Sequence, residues 1–579
     1  MPEIRRRNLS TAVWIPLRAS HKIESLEKYG YLGHKEEFFG AGSLAVPLDK
    51  KQKTEELEWM DVGISRSHSP WVQDGRYIPA DVFTIHGIES TGVPLVLEQQ
   101  GNREVPNEWH LHQDFVIAMK LMREGDIWLC FDEGYIEVAR LRRGNDKCPY
   151  LMEVRAEHLK DYLCARGMAL YVSSYWSRRE IVKDASYIKW TESPVTVKKG
   201  GDRWEGRVSE IHEGGTPFGA TTAVFHVSRS DIDPVEEVPS LGFPTDDQVV
   251  SKSWTKTDKG QKLYSIWGEL WRKEWVDPAA LSPRIRDDKL PLSIFFITDA
   301  TGTRENRDSL TGGIRWLWFR PDVIMALAHR RGGSLHWYTR DTGDVRCSPD
   351  YHVHFGVNKI GLINVFAKDI ALLPDWQQRI WAGSNVSPEG GVCEELLASQ
   401  MRADPADTQA PETFLSQGIE LLNKITLERF GFRLFREHDQ RKMLLSHAHR
   451  FRSVDITGFF GLAKDLARLT ADSIDASALQ NVVPPPKGTK WGSLKSLENV
   501  VATKIGPERA RLLLGPLVGI FELRHADAHL PGGQLDDAIK LAGVDKNLPF
   551  VFQGYQLLHA CVSSLYNIAK VLGPEDLPK

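Results

Sequence analysis

The spacing of apolar residues changes once along the chain, close to Pro411. Before that point the apolar runs are short or alternate with polar residues, which predicts β-strands at 82–85, 127–131, 292–297, 316–319 and 335–338. After it, apolar residues recur every three or four positions, which predicts helices at 413–430, 455–472, 493–505, 507–529 and 550–571. The pattern therefore predicts an α+β protein: a mixed α/β, β-rich N-terminal region followed by a C-terminal all-α helical bundle.

Smaller features divide the first 410 residues. Further helices are predicted at 154–169 and at 264–275, the second of which contains four aromatic residues. Residues 185–245 are rich in Thr, Val, Gly and Ser, which indicates β-hairpins, and 403–411 has the composition of a linker. We therefore predict three domains: a mixed α/β N-terminal region at 1–245, a β-rich middle domain with flanking helices at 246–405, and a helical bundle at 406–579.

Composition narrows the classes of function. A chain of 579 residues is too long to fold around a single hydrophobic core, and its length suggests about three or four domains of roughly 150 residues each. A net charge of −4 does not mark a general nucleic-acid binder, so any such site must be local. No apolar run reaches about 18 residues and no signal-peptide core follows the N-terminus, so no membrane association is expected. Six cysteines without a CxxC pair argue against a zinc ribbon and fit a cytoplasmic location.

The densest chemistry lies near the C-terminus, at 523–530. Arg524, His525, Asp527 and His529 follow an apolar run, and a Pro-Gly-Gly sequence comes directly after them, which predicts the last turn of a helix. Histidine moves protons near neutral pH, and arginine holds phosphate oxygens through paired N–H groups. Held together, these groups supply what phosphodiester cleavage without a metal requires.

An all-helical domain that carries an Arg, a polar residue and then a His at the end of a long helix resembles the HEPN ribonucleases of bacterial toxin–antitoxin and phage-defence systems. Arg524 and His529 match the spacing of that family's motif, and His525 matches its polar second position. The resemblance covers about residues 412–579. It implies a metal-independent endoribonuclease that works as a homodimer or higher oligomer, with two motifs facing one another. It also implies an acidic or polar residue from an earlier helix, for which Asp465 is the candidate.

The predicted chemistry assigns Arg524, His529 and His525 as catalytic residues. A histidine with a pKa of about 6.5 can remove the proton of the ribose 2′-hydroxyl or protonate the departing 5′-oxygen, leaving a 2′,3′-cyclic phosphate. Arg524 would stabilise charge on the phosphoryl oxygens. Neither a cofactor nor a metal is expected. Because residues five apart on a helix lie about 140° apart, a second protomer would help to aim both groups at one phosphate.

Other readings of the motif stay open. Arg524 could pair with Glu522 or Asp527 while the histidines cap the helix, or His525 and His529 could bind a metal at their i, i+4 spacing. The same Arg-to-His spacing recurs at Arg207/His212, Arg331/His336, Arg346/His352, Arg433/His438 and Arg441/His447. The last of these pairs is the nearest rival, because it too falls in a segment with helical features.

Weaker signals lie elsewhere in the chain. Two His-x-His pairs, at His110/His112 and at His352/His354, would each place two imidazoles on one face of a strand and could form half a metal site. Segments 175–179, 315–320 and 329–333 combine basic residues with aromatic residues or glycines. They suit base stacking and phosphate contacts, but they suit a sheet with aromatic and basic faces better.

The function that these observations predict is an RNA endonuclease. Its substrate is RNA, and the N-terminal region would sense an activating trigger, either a phage component or a small molecule. Phage defence by abortive infection is the corresponding role. The alternatives are a non-catalytic module that dimerises or docks a partner while the N-terminal region senses a ligand, and a metal-dependent hydrolase built on a His-x-His pair.

Overall fold

The fold is taken from a computed structural model of the chain. The structure describes residues 9, 11–62, 71–73, 75–78, 92–99, 101, 105–190, 194–214, 220–228, 249–257, 261–437, 439–524 and 532–574. These residues form two compact units, one within residues 1–290 and the other within residues 291–579. The predicted boundary at 405/406 therefore falls inside the second unit.

The first unit is built on a ten-stranded antiparallel sheet. Its strands, from one edge to the other, are β12 (Val195–Lys199), β13 (Asp202–His212), β16 (Lys262–Val276), β11 (Met168–Val182), β2 (Lys35–Pro47), β1 (Trp14–Glu24), β10 (Pro149–Arg155), β9 (Ile136–Arg143), β8 (Ile127–Cys130) and β7 (Leu121–Glu124). Three two-stranded ribbons accompany it: β3 (Trp71–Gln73) with β4 (Arg76–Ile78), β5 (Val96–Gln99) with β6 (Glu108–Leu111), and β14 (Ala220–Ser228) with β15 (Val249–Thr257).

Short helices complete this unit: α1 (Lys51–Thr54), α2 (Trp59–Val62), α3 (Gln113–Ala118) and α4 (Ala156–Arg166). The main core lies between one face of the sheet and the last two of these helices, where Phe115, Leu159 and Leu163 are fully buried. The helix predicted at 154–169 is thus found as α4, ended by Gly167 in the left-handed conformation, which glycine adopts without steric cost.

The predicted helix at 264–275 is wrong, because these residues belong to strand β16. Trp267, Trp271 and Trp275 are spaced by four, which fits one face of a helix but also one face of a strand, where every second side chain points the same way. β16 pairs along its length with β11 and, over 262–272, with β13. The hydrogen bonds to these two neighbouring strands pair the β16 backbone on both of its edges. They explain why the segment forms a strand and not a helix.

The second unit opens with a six-stranded antiparallel sheet. Its order is β20 (Ser334–Trp337), β21 (Thr342–Ser348), β22 (Tyr351–Val357), β23 (Ile363–Phe366), β19 (Trp316–Phe319) and β24 (Asn385–Val386), with a small ribbon of β17 (Phe296–Ile297) and β18 (Arg304–Glu305). Helices α5 (Arg307–Leu310), α6 (Asp322–Ala328), α7 (Ala367–Ala371), α8 (Asp375–Ser384) and α9 (Glu394–Arg402) accompany the sheet. The strand predicted at 292–297 shrinks to β17, and the prediction at 82–85 lies outside the described residues.

The C-terminal region is helical, as the sequence predicts. Its helices are α10 (Glu412–Phe430), α11 (Arg441–His447), α12 (Ile456–Leu469), α13 (Ala476–Val482), α14 (Ser493–Ile505), α15 (Pro507–Leu523), α16 (Gly532–Leu541) and α17 (Phe550–Leu572). Their apolar faces share one core that includes Leu422, Leu466 and Leu557. The coarse prediction is therefore confirmed: a mixed α/β chain with large antiparallel sheets in its N-terminal half and helices at its C-terminus.

Helix α15 ends at Leu523, and the remainder of the predicted helix, 525–529, lies outside the described residues. Gly506 precedes it, Pro507 occupies its first turn, and Pro516 lies inside it, where a kink is predicted. Gly519 lets α16 approach closely, because a Cβ there would lie 2.4 Å from the Ala542 nitrogen.

A fully buried arginine joins the sheet and the helices of the second unit. The Arg450 Nε and Nη2 atoms donate to the Glu412 carboxylate at 2.8 and 3.0 Å, and Nη1 lies 3.4 Å from Asp341 Oδ1. The guanidinium carbon lies 4.2 Å from the Trp337 ring centre and 4.6 Å from that of Tyr555. Burial alone would raise the pKa of Glu412, but the charge and hydrogen bonds of Arg450 outweigh it and keep that pKa below its ordinary value.

Arg450→Met should lower the free energy of unfolding of this unit by about 3–5 kcal/mol, because it leaves the Glu412 carboxylate buried without a cation. Adding Glu412→Gln should recover part of the loss, which denaturant unfolding of the single and double variants measures. A single variant within about 1 kcal/mol of the wild type would contradict this account of the ion pair.

Candidate functional site

Arg524 is the C-cap residue of α15. Its guanidinium pairs with the Asp472 carboxylate and lies over the Phe521 ring, with 3.9 Å between the guanidinium carbon and the ring centre. A positive charge is favoured at this end of a helix, where backbone carbonyls are exposed. The side chain is therefore held at a fixed place on the helical region, with 20% of its surface exposed.

Two more arginines line a cavity together with Asp472. A cavity of about 410 Å³ is lined by Arg436, Glu437, Arg468, Asp472 and Ser473. Arg436 donates to the Asp472 carbonyl at 3.0 Å, and Arg468 donates to Gln440 Oε1 at 2.9 Å. Asp472 thus links the Arg524 guanidinium to a surface where two further guanidinium groups could meet an anion.

The other two predicted catalytic residues, His525 and His529, lie outside the described residues, as does Asp527. Of the predicted motif, the structure places Arg524 alone. The described chain resumes at Gly532, where α16 begins. The prediction that His525 and His529 act with Arg524 stays a prediction.

The two residues of the rival pair, Arg441 and His447, have different neighbours in the structure. Arg441 opens α11, and its Nη2 lies 2.5 Å from Glu420 Oε1. His447, the last residue of α11, faces a different surface, a cavity of about 660 Å³ that we call the histidine cavity. Its lining includes four histidines and two residues that contact Arg450, namely His329, His336, His447, His449, Trp337 and Glu412.

The histidines of this cavity come from separate elements. His329 caps α6, His336 lies in β20, and His447 and His449 flank the end of α11. The ring centres of His329 and His447 are 4.6 Å apart, and those of His329 and His449 are 6.1 Å apart. Sequence reasoning missed this group, although the His-x-His spacing of His447 and His449 is the signal that it used at two other places.

Burial and positive neighbours keep two of these rings neutral. Burial lowers the pKa of His449 to about 3, and the nearby His329, His447 and Arg452 lower it further against the opposing charge of Glu412. Burial and the charges of His447 and Arg452 also lower the pKa of His329. Neither ring nitrogen of His449 has a hydrogen-bond partner among the described residues. The buried imidazole of His449 therefore stays neutral down to about pH 3.

Asp465, the predicted acidic partner of the motif, belongs to the surroundings of this cavity. Its Oδ2 lies 3.7 Å from Arg452 Nε, and its side chain is 11% exposed. Burial raises the pKa of Asp465, and the charges of Arg452 and His447 oppose that rise. The Asp465 carboxylate thus lies near Arg452, and the charges of Arg452 and His447 both act on it.

The predicted His-x-His pairs have protein partners. His110 lies in β6 within 3.1 Å of Gln99 Oε1 and 3.2 Å of Arg123 Nη1, and His354 lies in β22 within 2.7 Å of Gln400 Nε2. Within the described ranges, neither pair gathers a third metal-ligand side chain. The basic-aromatic segments are also occupied: Arg315 pairs with Glu305, and Arg179 stacks on Trp267 at 4.5 Å.

Comparison of the chain with protein-family models, curated proteins and solved structures finds no match. Among the residues that the structure describes, no helix has both the length and the apolar character needed to cross a bilayer. The function must therefore be argued from the sites themselves.

The buried neutral imidazole of His449 predicts a pH dependence of stability. The unfolded chain takes up a proton at this residue below about pH 6.5, whereas the folded chain resists protonation down to about pH 3. His449 therefore lowers the free energy of unfolding by up to about 1.4 kcal/mol for each pH unit below 6.5. His449→Leu should shrink the fall in thermal midpoint between pH 7 and pH 5, whereas His336→Leu, at the exposed rim, should not. Equal falls in all three proteins would refute this.

Proposed function

We propose that the chain is a metal-independent RNA endonuclease whose phosphate-binding residue is Arg524. The observation that carries the proposal is the position of this guanidinium at the end of α15, held by Asp472 and Phe521 beside a cavity lined by Arg436 and Arg468. Asp472 joins Arg524 to this cavity, so three guanidinium groups lie close to one another together with the carboxylates of Asp472 and Glu437. Phosphate contacts of this kind fix the position of a nucleic acid without reading its sequence.

In the proposed reaction, one of His525 and His529 removes the proton from a ribose 2′-hydroxyl. That oxygen attacks the adjacent phosphorus, and the bond to the 5′-oxygen breaks. A second imidazole protonates the departing oxygen, which leaves a 2′,3′-cyclic phosphate and a free 5′-hydroxyl. Arg524 stabilises the charge on the phosphoryl oxygens in the transition state. The second imidazole comes from the same chain or from a second protomer in the HEPN-like dimer.

The same proposal includes a regulatory role. A large N-terminal part fused to a HEPN-like helical region suits a nuclease that stays silent until a trigger is sensed, as in phage defence by abortive infection. The trigger, a phage component or a small molecule, would act through the first 405 residues. The active form would be a dimer. Light scattering of the purified protein measures the molar mass and so shows whether the dimer forms.

The histidine cavity supports a second place for the same chemistry. His329 and His447 have ring centres 4.6 Å apart, the pKa of His329 is lowered by burial and by its positive neighbours, and Arg452 provides a cation close by. Two imidazoles and a guanidinium can act as base, acid and phosphate ligand. This cavity needs no residue outside the described chain and no second protomer.

Replacing Arg524 or His529 by Ala should reduce RNA cleavage in the presence of EDTA by about a hundredfold or more, because either change removes a group used in the transition state. Arg511→Ala is the matched control, since Arg511 lies on the same helix with its side chain 78% exposed. The measurement is the rate of appearance of 2′,3′-cyclic phosphate ends on a labelled RNA. Activity that EDTA abolishes would instead favour a metal-dependent hydrolase, and no activity with candidate triggers would favour a non-catalytic module.

His447→Asn tests the second place for the chemistry. If the reaction occurs in the histidine cavity, this change should abolish EDTA-resistant cleavage while Arg524→Ala leaves it intact. His559→Asn is the control, because His559 is an exposed histidine on α17 outside the cavity. Wild-type activity in His447→Asn would exclude the cavity, and the site at Arg524 would then stand as the sole candidate.

A further inference from the structure

Three metal-ligand side chains meet where the connection 25–34 joins β1 to β2 in the first unit. Glu24 is the last residue of β1, Glu36 is the second residue of β2, and the ladder pairs them directly across the two strands. His34 comes immediately before β2. One carboxylate oxygen from each glutamate and one ring nitrogen of His34 lie within 4.8 Å of one another.

The hydrogen bond that His34 makes inside the protein suits a metal ligand. Its Nδ1 lies 2.7 Å from the Glu27 carbonyl oxygen, and because that oxygen only accepts, Nδ1 carries a hydrogen. In the neutral ring this leaves the lone pair on Nε2. His34 is 0% exposed, Nε2 has no hydrogen-bond partner among the described residues, and it lies 3.7 Å from Glu36 Oε2. A backbone carbonyl on the far nitrogen is the usual support of a metal-bound histidine.

The two carboxylates repel one another where they stand. Like charges directly opposite on neighbouring antiparallel strands destabilise the pair. The Lys22 Nζ atom relieves this repulsion, since it lies 3.0 Å from Glu24 Oε2 and 3.9 Å from Glu36 Oε1. The Lys22 side chain is 52% exposed, so its amine already borders solvent. The Lys22 ammonium group thus lies between the two carboxylates, where a metal ion would bind.

We propose that Glu24, His34 and Glu36 form a binding site for a divalent transition metal of the Zn²⁺ class. Ligand atoms at about 2.1 Å from a tetrahedral metal lie about 3.4 Å apart, so atoms that now lie within 4.8 Å of one another need to close by at most about 1.4 Å, which the long glutamate side chains permit. Lys22 leaves as the metal enters. The three side chains leave a fourth position of the tetrahedron for water or another ligand.

The ligand set selects the kind of metal. A neutral imidazole nitrogen with two carboxylates suits Zn²⁺ and its first-row neighbours, whereas Ca²⁺ and Mg²⁺ prefer oxygen ligands throughout. Bound metal would tie together the two ends of the connection formed by residues 25–34. The site stands independently of the proposed nuclease, because its residues all belong to the first unit and require no RNA.

The full-length protein, stripped of metal, should bind one Zn²⁺ at this site in equilibrium dialysis with metal analysis. Glu24→Gln and Glu36→Gln should each weaken that binding by about tenfold or more, because each removes one charged ligand. Lys22→Met should tighten it severalfold, because the competing cation is gone. Glu37→Gln is the matched control: it lies one residue further along β2, so its side chain points to the other face of the sheet. Mg²⁺ in place of Zn²⁺ should not bind.

Two readouts keep a folding defect apart from a binding defect. The metal-free thermal midpoints of the glutamine variants should match that of the wild type, while the rise in midpoint on adding Zn²⁺ should be lost in them. His34→Gln tests the buried ligand, and the exposed glutamates carry the test if that variant is unstable. Glu24→Gln and Glu36→Gln proteins that bind Zn²⁺ like the wild type, or a wild type that binds none, would overturn the proposal.

Discussion

A buried guanidinium organises the second unit. Arg450 has no exposed surface, and a charge in that position needs carboxylates within reach. The carboxylates come from Asp341, which precedes β21, and from Glu412, the first residue of α10. The rings of Trp337 and Tyr555 close over the guanidinium from the sheet and from α17. Trp337 and Glu412 also line the histidine cavity, so the group that joins sheet and helices sets one wall of that cavity.

The helical region was predictable because its signal is local and repeated. The amphipathic pattern at 413–430 and the segment at 493–505 correspond within a residue to α10 and α14. The pattern at 264–275 misled because a spacing of four satisfies both a helix and a strand, and only the pairing of β16 with β11 and β13 distinguishes them. That pairing depends on residues about 50 to 106 positions away, which a local pattern does not contain.

The two candidate sites also differ in how far the local sequence reveals them. Arg524 could be singled out because its neighbours in sequence carry the chemistry. The histidine cavity combines residues 329, 336, 447 and 449, and their proximity depends on how α6, β20 and α11 pack. Asp465 lies near Arg452, and the charges of Arg452 and His447 act on it, while its predicted part in the 524–529 motif stays a prediction. A motif search sees residue types at fixed spacing, whereas acid–base chemistry depends on distance and burial.

The close packing of α15 on α16 has a consequence for the residues that join them. A side chain larger than hydrogen at Gly519 would meet the backbone of Ala542 and Ala538, so the two helix backbones are in contact there. The distance between Arg524, at the end of α15, and Gly532, at the start of α16, therefore depends on how the two helices pack. The close approach at Gly519 thus contributes to the distance that the histidine-bearing residues 525–531 must cover.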